Sequence, residues 1–490
     1  MFGWLTKSIR SNEPQRRTLR MVHVPLRVRG RYDAAATTDE NRRHWANADL
    51  LSANAANTPQ VRRTLRSRAR YEVANNSYAR GIVSTLANDC IGTGPRLQML
   101  TAEDGTNRTI EREFMRWADA VSLPEKLRTM RMARAESGEA FAMLVANPKV
   151  DSLVKLDLRL IEADQVATPE VARWLFKVSM NATDGIVFDA HGNPVEYHLL
   201  KSHPGDGFAR FSLDYDRIPA AAMVHYFRTD RPGQSRGIPE IMPALPLFAQ
   251  LRRYTLAVLA AAETAADFAA VLYTDAPANG EADPVEALNL VELERRMATV
   301  LPGGWRLGQV QPQQPATGYG EFKKEILNEI ARCLNMPFNV ACGNSSGYNY
   351  ASGRLDHQVY YKSIRVDQAH LGISVLDRVL RVWLDEAILI SDFLPLWLRT
   401  ATFRDLTHQW FWDGQEHVDP AKEANAQATR LQNHTTTLAY EYARQGRDWE
   451  SELRQRAKEV ALMNQLGLPI SQGQSAPATV TNNNNQSKGD

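Results

Sequence analysis

The sequence predicts an α+β protein: a mixed helix-and-strand region followed by a largely helical one. Three observations predict it. Apolar residues recur at helical spacing before residue 136 and again over 355–388. Between about 140 and 227 the period shortens to brief apolar runs bounded by Gly, Asn and Pro, which is strand punctuation. Apolar residues make up 43% and charged residues 23%, the balance of a chain that buries cores, and 490 residues suffice for several substructures.

The chain opens with a basic arm over 1–57, running from Lys7 through Arg31. Thr58-Pro59 then reads as N-cap and first-turn proline of a helix in which Arg62, Arg66 and Arg70 stand one turn apart. That stripe reads as a solvated or subunit-contacting face, with a DNA-reading face as the alternative. A second helix, about 76–89, turns Ile82, Val83 and Leu86 to one side and stops at Gly92 and Gly94. Phe114, Trp117, Leu127 and Met130 mark helix over 111–136, broken near Pro124. Strands are expected at 140–146, 156–161 and 224–227. Segments 185–189 and 195–200 flank His191-Gly192-Asn193, a hairpin signature.

After the loop Arg231-Pro232-Gly233-Gln234-Ser235-Arg236-Gly237, the pattern predicts an alanine-rich helix over 238–272, suited to close helix packing. Residues 275–318 are punctuated by Pro and Gly, with a helical piece near 285–298, and a further helix is expected over 321–334. Residues 336–353 read as loop. A long helix, 355–388, carries Val359, Ile364, Val366, Leu371, Val375, Leu376, Val379 and Trp383. More helices are expected between 420 and 466, and the Asn-rich tail from 471 reads as disordered.

Charge is distributed unevenly. Residues 1–100 hold 17 Lys plus Arg against 7 Asp plus Glu, a net of +10, so with +2 for the whole chain the remaining 390 residues carry −8. The basic arm reads either as a contact for nucleic acid or an acidic protein surface, or as a solvated tail. No secretory signal is evident, and the apolar window 254–273 holds Glu263 and Asp267, which argues against a membrane span. Cys90, Cys333 and Cys342 form no CxxC and have no His companions at metal spacing, so no disulfide framework and no metal are expected. His203 and His225 read as ordinary surface or core residues.

Motifs that would carry chemistry are sparse. The phosphate-cradling G-x-x-x-x-G-K-[ST] is absent, so an ATP-driven motor activity is not expected of this chain, nor is any cofactor. Gly343-Asn344-Ser345-Ser346-Gly347 matches the G-x-S-x-G nucleophile elbow, with Asp392 and His417 following in triad order. An elbow belongs after a buried strand, whereas this segment lies between two expected helices. A serine hydrolase built on Ser345 is therefore the alternative reading, and a flexible loop the preferred one. Acidic residues recur four apart at Glu263 and Asp267 and again at Glu321, Glu325 and Glu329, each set on one helix face. Such faces are either solvated and bridged to Lys323, Lys324, Arg295 or Arg296, or form a channel wall that repels phosphates.

Several separated segments resemble one family. The run RARYEVANNSYARGIV from Arg68 to Val83, continued by IGTGPRLQ from Ile91 to Gln98, is similar to the opening motif of lambda-like phage portal proteins. Gly138 to Phe141, His225 to Pro239, Pro337-Phe338-Asn339, Tyr348 to Ser352 and Val418 to Glu423 follow in the family's order, and the similarity covers about residues 30–467. The resemblance implies a homododecameric ring at one capsid vertex, with no enzymatic activity and no membrane. The ring passes double-stranded DNA during packaging and ejection. It contacts the terminase large subunit, then head-completion or connector proteins, and the major capsid or scaffolding protein.

Mapped onto this chain, the resemblance implies a basic arm at 1–57, an α/β wing at 58–237 and stem helices at 238–273 and 319–335. It places a clip at 274–318, a tunnel loop at 336–353, a long kinked helix with its return to the wing at 354–419, a crown at 420–467 and a tail at 468–490. Asn344, Ser345, Ser346, Tyr348 and Asn349 then become DNA-facing, Glu263, Asp267, Glu321, Glu325 and Glu329 become lumen linings, and Lys323, Lys324, Arg354 and Lys362 supply basic contacts.

Overall fold

The computed structural model describes residues 38–168, 182–206, 214–267, 271–274, 305–308, 316–347, 349–403, 405–414 and 420–468. Contacts divide the chain into two units, Met1–Ser52 and Ala53–Asp490. The described part of the first, from residue 38, is a turn in which Thr38 and Asn41 exchange side-chain and backbone hydrogen bonds.

The second unit starts with α1 (Ala53–Ala56), α2 (Pro59–Asn75) and α3 (Ser77–Ile91). Thr58 Oγ1 caps α2 by accepting from Val61 N, and Asn76 Oδ1 caps α3 by accepting from Tyr78 N at 3.0 Å, so each start fits its cap residue. Gly92, at φ 59°, ends α3. The expected helix over 111–136 is two, α4 (Asp104–Ala120) and α5 (Leu123–Ser137), with Pro124 in the first turn of the second.

Strands β2 (Glu139–Ala146), β3 (Leu156–Ile161) and β8 (Met223–Phe227) form an antiparallel sheet in the order β3-β2-β8. A second sheet holds β4 (Ala182–Thr183), β5 (Ile186–Phe188), β6 (Pro194–Leu200) and β7 (Tyr215–Pro219) in sequence order. The expected hairpin joins β5 and β6: Asp189 Oδ1 accepts from His191 N and Asn193 N, both at 2.8 Å, which folds the turn. Strand β1 (Arg96–Met99) pairs with β11 (His408–Phe411), tying the start of the chain to its later third.

The alanine-rich helix is shorter than its sequence pattern. Pro239, Pro243 and Pro246 delay its start because a proline is tolerated only in the first turn, and α6 spans Leu245–Asp267 after a 3₁₀ turn at Met242–Ala244. Val271 and Leu272, expected to end it, belong instead to strand β9 (Val271–Thr274), paired antiparallel with β10 (Trp305–Gly308). The expected helix near 285–298 lies outside the described residues.

Helix α7 (Ala316–Arg332) is followed by a short α8 (Phe338–Cys342) inside the expected loop. The long helix starts at Tyr350, earlier than expected, because Asn349 Oδ1 caps Ser352 N at 2.9 Å. It runs as α9 (Tyr350–Leu371), a π-helical turn at Gly372–Leu376 and α10 (Asp377–Ala387). The expected carboxy-terminal helices are α11 (Pro420–Gln432), α12 (Leu438–Arg444) and α13 (Trp449–Gln465). No described helix is long and apolar enough to cross a membrane.

Three hydrophobic clusters hold these elements, one of them packing Phe141 of β2 with Ile186 and Tyr197 of the second sheet. Trp117, Phe114, Tyr226 and Trp383 centre the first, where α4, α5 and α10 cover the three-stranded sheet. Ile82, Leu86, Phe248, Ile330, Tyr360 and Ile364 centre the second, where α2, α3, α6, α7 and α9 meet. Trp117 Nε1 donates to Leu156 O at 2.8 Å, whereas the equally buried Trp383 Nε1 finds no hydrogen-bond partner among the described residues.

Candidate nucleic-acid interface

The loop between α8 and α9 is presented by a rigid support. Leu327, Ile330, Ala331 and Leu334 bury one face of α7 and the residues just beyond it. On the far side, Tyr360 Oη donates to Asp89 at 2.7 Å and Gln368 Nε2 to Cys90 O at 3.0 Å, fixing α9 on α3. Asp367 accepts from Arg131 and Arg134 of α5, both at 2.8 Å. The same two arginines hold Glu240, and Arg134 also donates to Tyr226 Oη at 2.6 Å. Burial pushes the Glu240 carboxyl up, but Arg131 and Arg134 outweigh it and bring it down to about 2.

Out of this frame the loop projects uncharged polar groups. Gly343 takes the left-handed conformation, φ 61°, at the end of α8. Asn344, Ser345, Ser346 and Asn349 are exposed; Asn344 Oδ1 accepts from Ser346 N at 2.9 Å and Gly347 N donates to Ser345 O at 3.0 Å. Tyr348 lies outside the described residues. The segment therefore offers hydroxyl and amide groups to solvent, which suits weak, sequence-independent contact with a phosphate backbone.

Ser345 does not sit in an elbow. A helix, α8, precedes it in place of a strand, and the hydrogen bond recorded for its Oγ comes from Asn339 Nδ2 at 3.5 Å. Asn339 Nδ2 lies 3.0 Å from His357 Nε2, so the imidazole nearest in the network is one residue removed from the hydroxyl. Asp392 is exposed at φ 57°, and His417 lies outside the described residues.

The acidic and basic candidates divide. Glu263 is exposed on α6; the side chain of Asp267 lies outside the described residues. Glu321, Glu325 and Glu329 are exposed on α7, as are Arg354 and Lys362 on α9. The lysines beside the acidic row turn to aromatic rings, not carboxylates. Lys323 Nζ lies 5.1 Å from the Tyr78 centroid and Lys324 Nζ 5.6 Å from that of Phe338. Arg295 and Arg296 lie outside the described residues.

The arginine stripe of α2 is the clearest correction. Arg62 and Arg66 are buried, and neither a solvated nor a DNA-reading face describes them. Arg62 pairs with Asp184; Arg66 pairs with Glu139 and, at 3.0 Å, with Asp164, which Arg70 also holds at 2.8 Å. Glu139 is the hub. Arg236 Nε donates to both its oxygens at 2.9 and 3.0 Å, and His225 Nε2 and Gly237 N each meet Oε2 at 2.9 Å. His225 is thus a core residue stacked on Phe141 at 4.3 Å. Glu162, Asp164 and His203 bring three ligand-type atoms within 4.8 Å of one another, a grouping the sequence spacing did not reveal. Arg66 and Arg70 already occupy Asp164, placing two cations beside it.

Comparison with known proteins places these features in a family. The chain is 27% identical over 445 residues to a "Probable portal protein" of Halomonas phage phiHAP-1, covering 85% of this chain and 83% of that one. Among solved structures it is similar to a chain in the virion of a native gene transfer agent particle, with 13% identity, TM-score 0.42, and coverage of 83% of this chain and 93% of the other. It is also similar to one in the neck of the empty particle computed with C6 symmetry, at 14%, TM-score 0.45, and coverage of 84% and 95%. The family model described as phage portal protein, lambda family, matches residues 39–368, and the chain belongs to that family.

Proposed function

We propose that this chain assembles into a ring of about a dozen copies at one vertex of a phage capsid and conducts double-stranded DNA through its axis during packaging and ejection. The observation that carries the reading is the set of exposed, uncharged loop residues Asn344, Ser345, Ser346 and Asn349, mounted on helices locked by the Asp367 and Tyr360 contacts, in a chain of the portal family. A conduit needs contacts that hold a duplex in register without retaining it. Hydroxyls and amides supply these, whereas a row of lysines would bind phosphates strongly and in a salt-dependent way. Glu263 on α6 adds repulsion toward phosphates if it fronts the channel, with Arg354 and Lys362 as nearby basic contacts. In this reading the 274–318 segment receives the terminase large subunit and then the head-completion or connector proteins. The ring also meets the major capsid or scaffolding protein, and it resides in the virion.

The test is packaging into heads built with altered loops. Ser345→Ala is expected to leave the yield of filled heads unchanged. Asn344→Asp combined with Ser346→Asp, which puts two negative charges per subunit against the duplex, is expected to lower it several-fold. Loss of function in Ser345→Ala, together with covalent capture of wild-type Ser345 by an active-site-directed phosphonate, would instead establish the hydrolase.

A further inference from the structure

The long helix carries apolar side chains on two faces, and only one of them is covered. Ile364 and Leu371 are buried, but Leu355, Val359, Val366 and Ile373 are 65%, 56%, 63% and 71% exposed. Val359, Val366 and Ile373 recur every seven residues, and Leu355 precedes the first by four. This is the spacing that keeps one seam against another helix. Arg354, Lys362 and Arg365 flank the seam on one side, all exposed.

A matching surface exists on the same chain. The outward face of α7 presents Phe322, 48% exposed, beside Glu321, Glu325 and Glu329. A groove of about 470 Å³ runs along it, lined by Phe322, Glu325, Ile326, Asn328, Glu329 and Arg332. From Leu355 to Val366 the seam rises about 17 Å, and from Phe322 to Arg332 the groove rises about 15 Å. Arg354 and Lys362 are eight residues apart, as are Glu321 and Glu329, so the two charge rows share a spacing of about 12 Å. No ion pair involves any of these four residues among the described ones.

We infer that the seam of α9 packs into the acidic groove of α7 on a neighbouring copy of this chain, with Arg354, Lys362 and Arg365 facing Glu321, Glu325 and Glu329. The occupant is a second copy because both surfaces face solvent while their helices are fixed in one core, so neither reaches the other within a chain. Two different complementary surfaces make a head-to-tail contact, the kind that closes into a ring. The inference rests on the portal reading and deepens it: the acidic row of α7 becomes a subunit contact in place of a lumen lining, and Arg354 and Lys362 become its partners in place of channel contacts.

Charge exchange in the full-length chain tests it, with assembly followed by sedimentation velocity and folding by circular dichroism. Arg354→Glu with Lys362→Glu, and Glu321→Lys with Glu329→Lys, are each expected to raise the concentration for half-assembly roughly tenfold or more with an unchanged subunit fold, since opposed like charges are costly at an interface. The two sets together in one chain are expected to restore assembly. Either one-sided variant assembling like wild type, as it would if the acidic row fronted the channel, overturns the pairing; so does a combined variant as defective as either one-sided one. Val366→Ser, which keeps the charges and thins the seam, is expected to weaken assembly, and wild-type behaviour there also counts against it. A wild-type chain that never assembles would sink the portal reading itself, and is distinguishable from all of these.

Discussion

Glu139→Gln is expected to cost about 3–5 kcal/mol in chemical denaturation at pH 7, the usual penalty when one partner of a buried ion pair is removed. Glu139 is fully buried and meets Arg66, Arg236, His225 and the Gly237 amide. Glutamine can still accept two of these contacts, but it leaves two buried guanidinium groups without their shared counter-charge. Burial alone would raise the Glu139 carboxyl; Arg236, the His225 hydrogen bond and Arg66 outweigh it and hold it well below the ordinary range. A carboxylate with a depressed native pKa stabilises the fold above its unfolded value, about 4.3, and loses that contribution as pH falls through the native value. The gap between wild type and variant is therefore full at neutral pH and closes on acidification. A loss below about 1 kcal/mol at pH 7 would mean that water reaches this cluster.

Gly237→Ala is expected to be as damaging for a different reason. An added Cβ would lie 2.0 Å from the carbonyl oxygen of Gly138, whose own left-handed conformation, φ 89°, caps α5. The two atoms it would meet first, Gly138 O and C, belong to backbone, so relief requires the strand β2 to part from the segment that leads into α6. The expected outcome is a fall in stability of roughly 3 kcal/mol or more, or failure to accumulate as soluble protein. A substitution at Gly105, which like Gly237 has no positive φ and whose Cβ would meet nothing within 4 Å, serves as the control for glycine loss alone.

These two sites show what the sequence reading could and could not see. Helix starts were legible because Thr58, Asn76 and Pro124 act locally, and the β5–β6 hairpin because Asp189 and Gly192 set their own turn. Arginines one turn apart were not: a solvated stripe and a buried one have the same spacing. What decides is Glu139, 73 residues from Arg66, and Asp184, 122 residues from Arg62. Likewise Val359 and Val366 fit the helical period as well as Ile364 and Leu371, but the chain buries only the second pair. The end of α6 was misplaced because alanine sustains a helical pattern while the strand pairing of Val271–Thr274 with Trp305–Gly308 crosses some thirty residues.

For the candidate interface, the loop and its polar content were readable directly, since Gly343, Asn344, Ser345 and Ser346 break helix by their own propensities. The clamp that mounts it was not. Arg131, Arg134, Glu240 and Asp367 come from three separate elements and meet only in the fold.

The measurement that bears most directly on the account is the mass and symmetry of the purified full-length chain, by native mass spectrometry with negative-stain imaging of end-on views. A closed ring of about a dozen subunits, with an axial hole wide enough for duplex DNA, is the predicted result. A monomer or small dimer that persists at high concentration, with no ring in any salt, would contradict it.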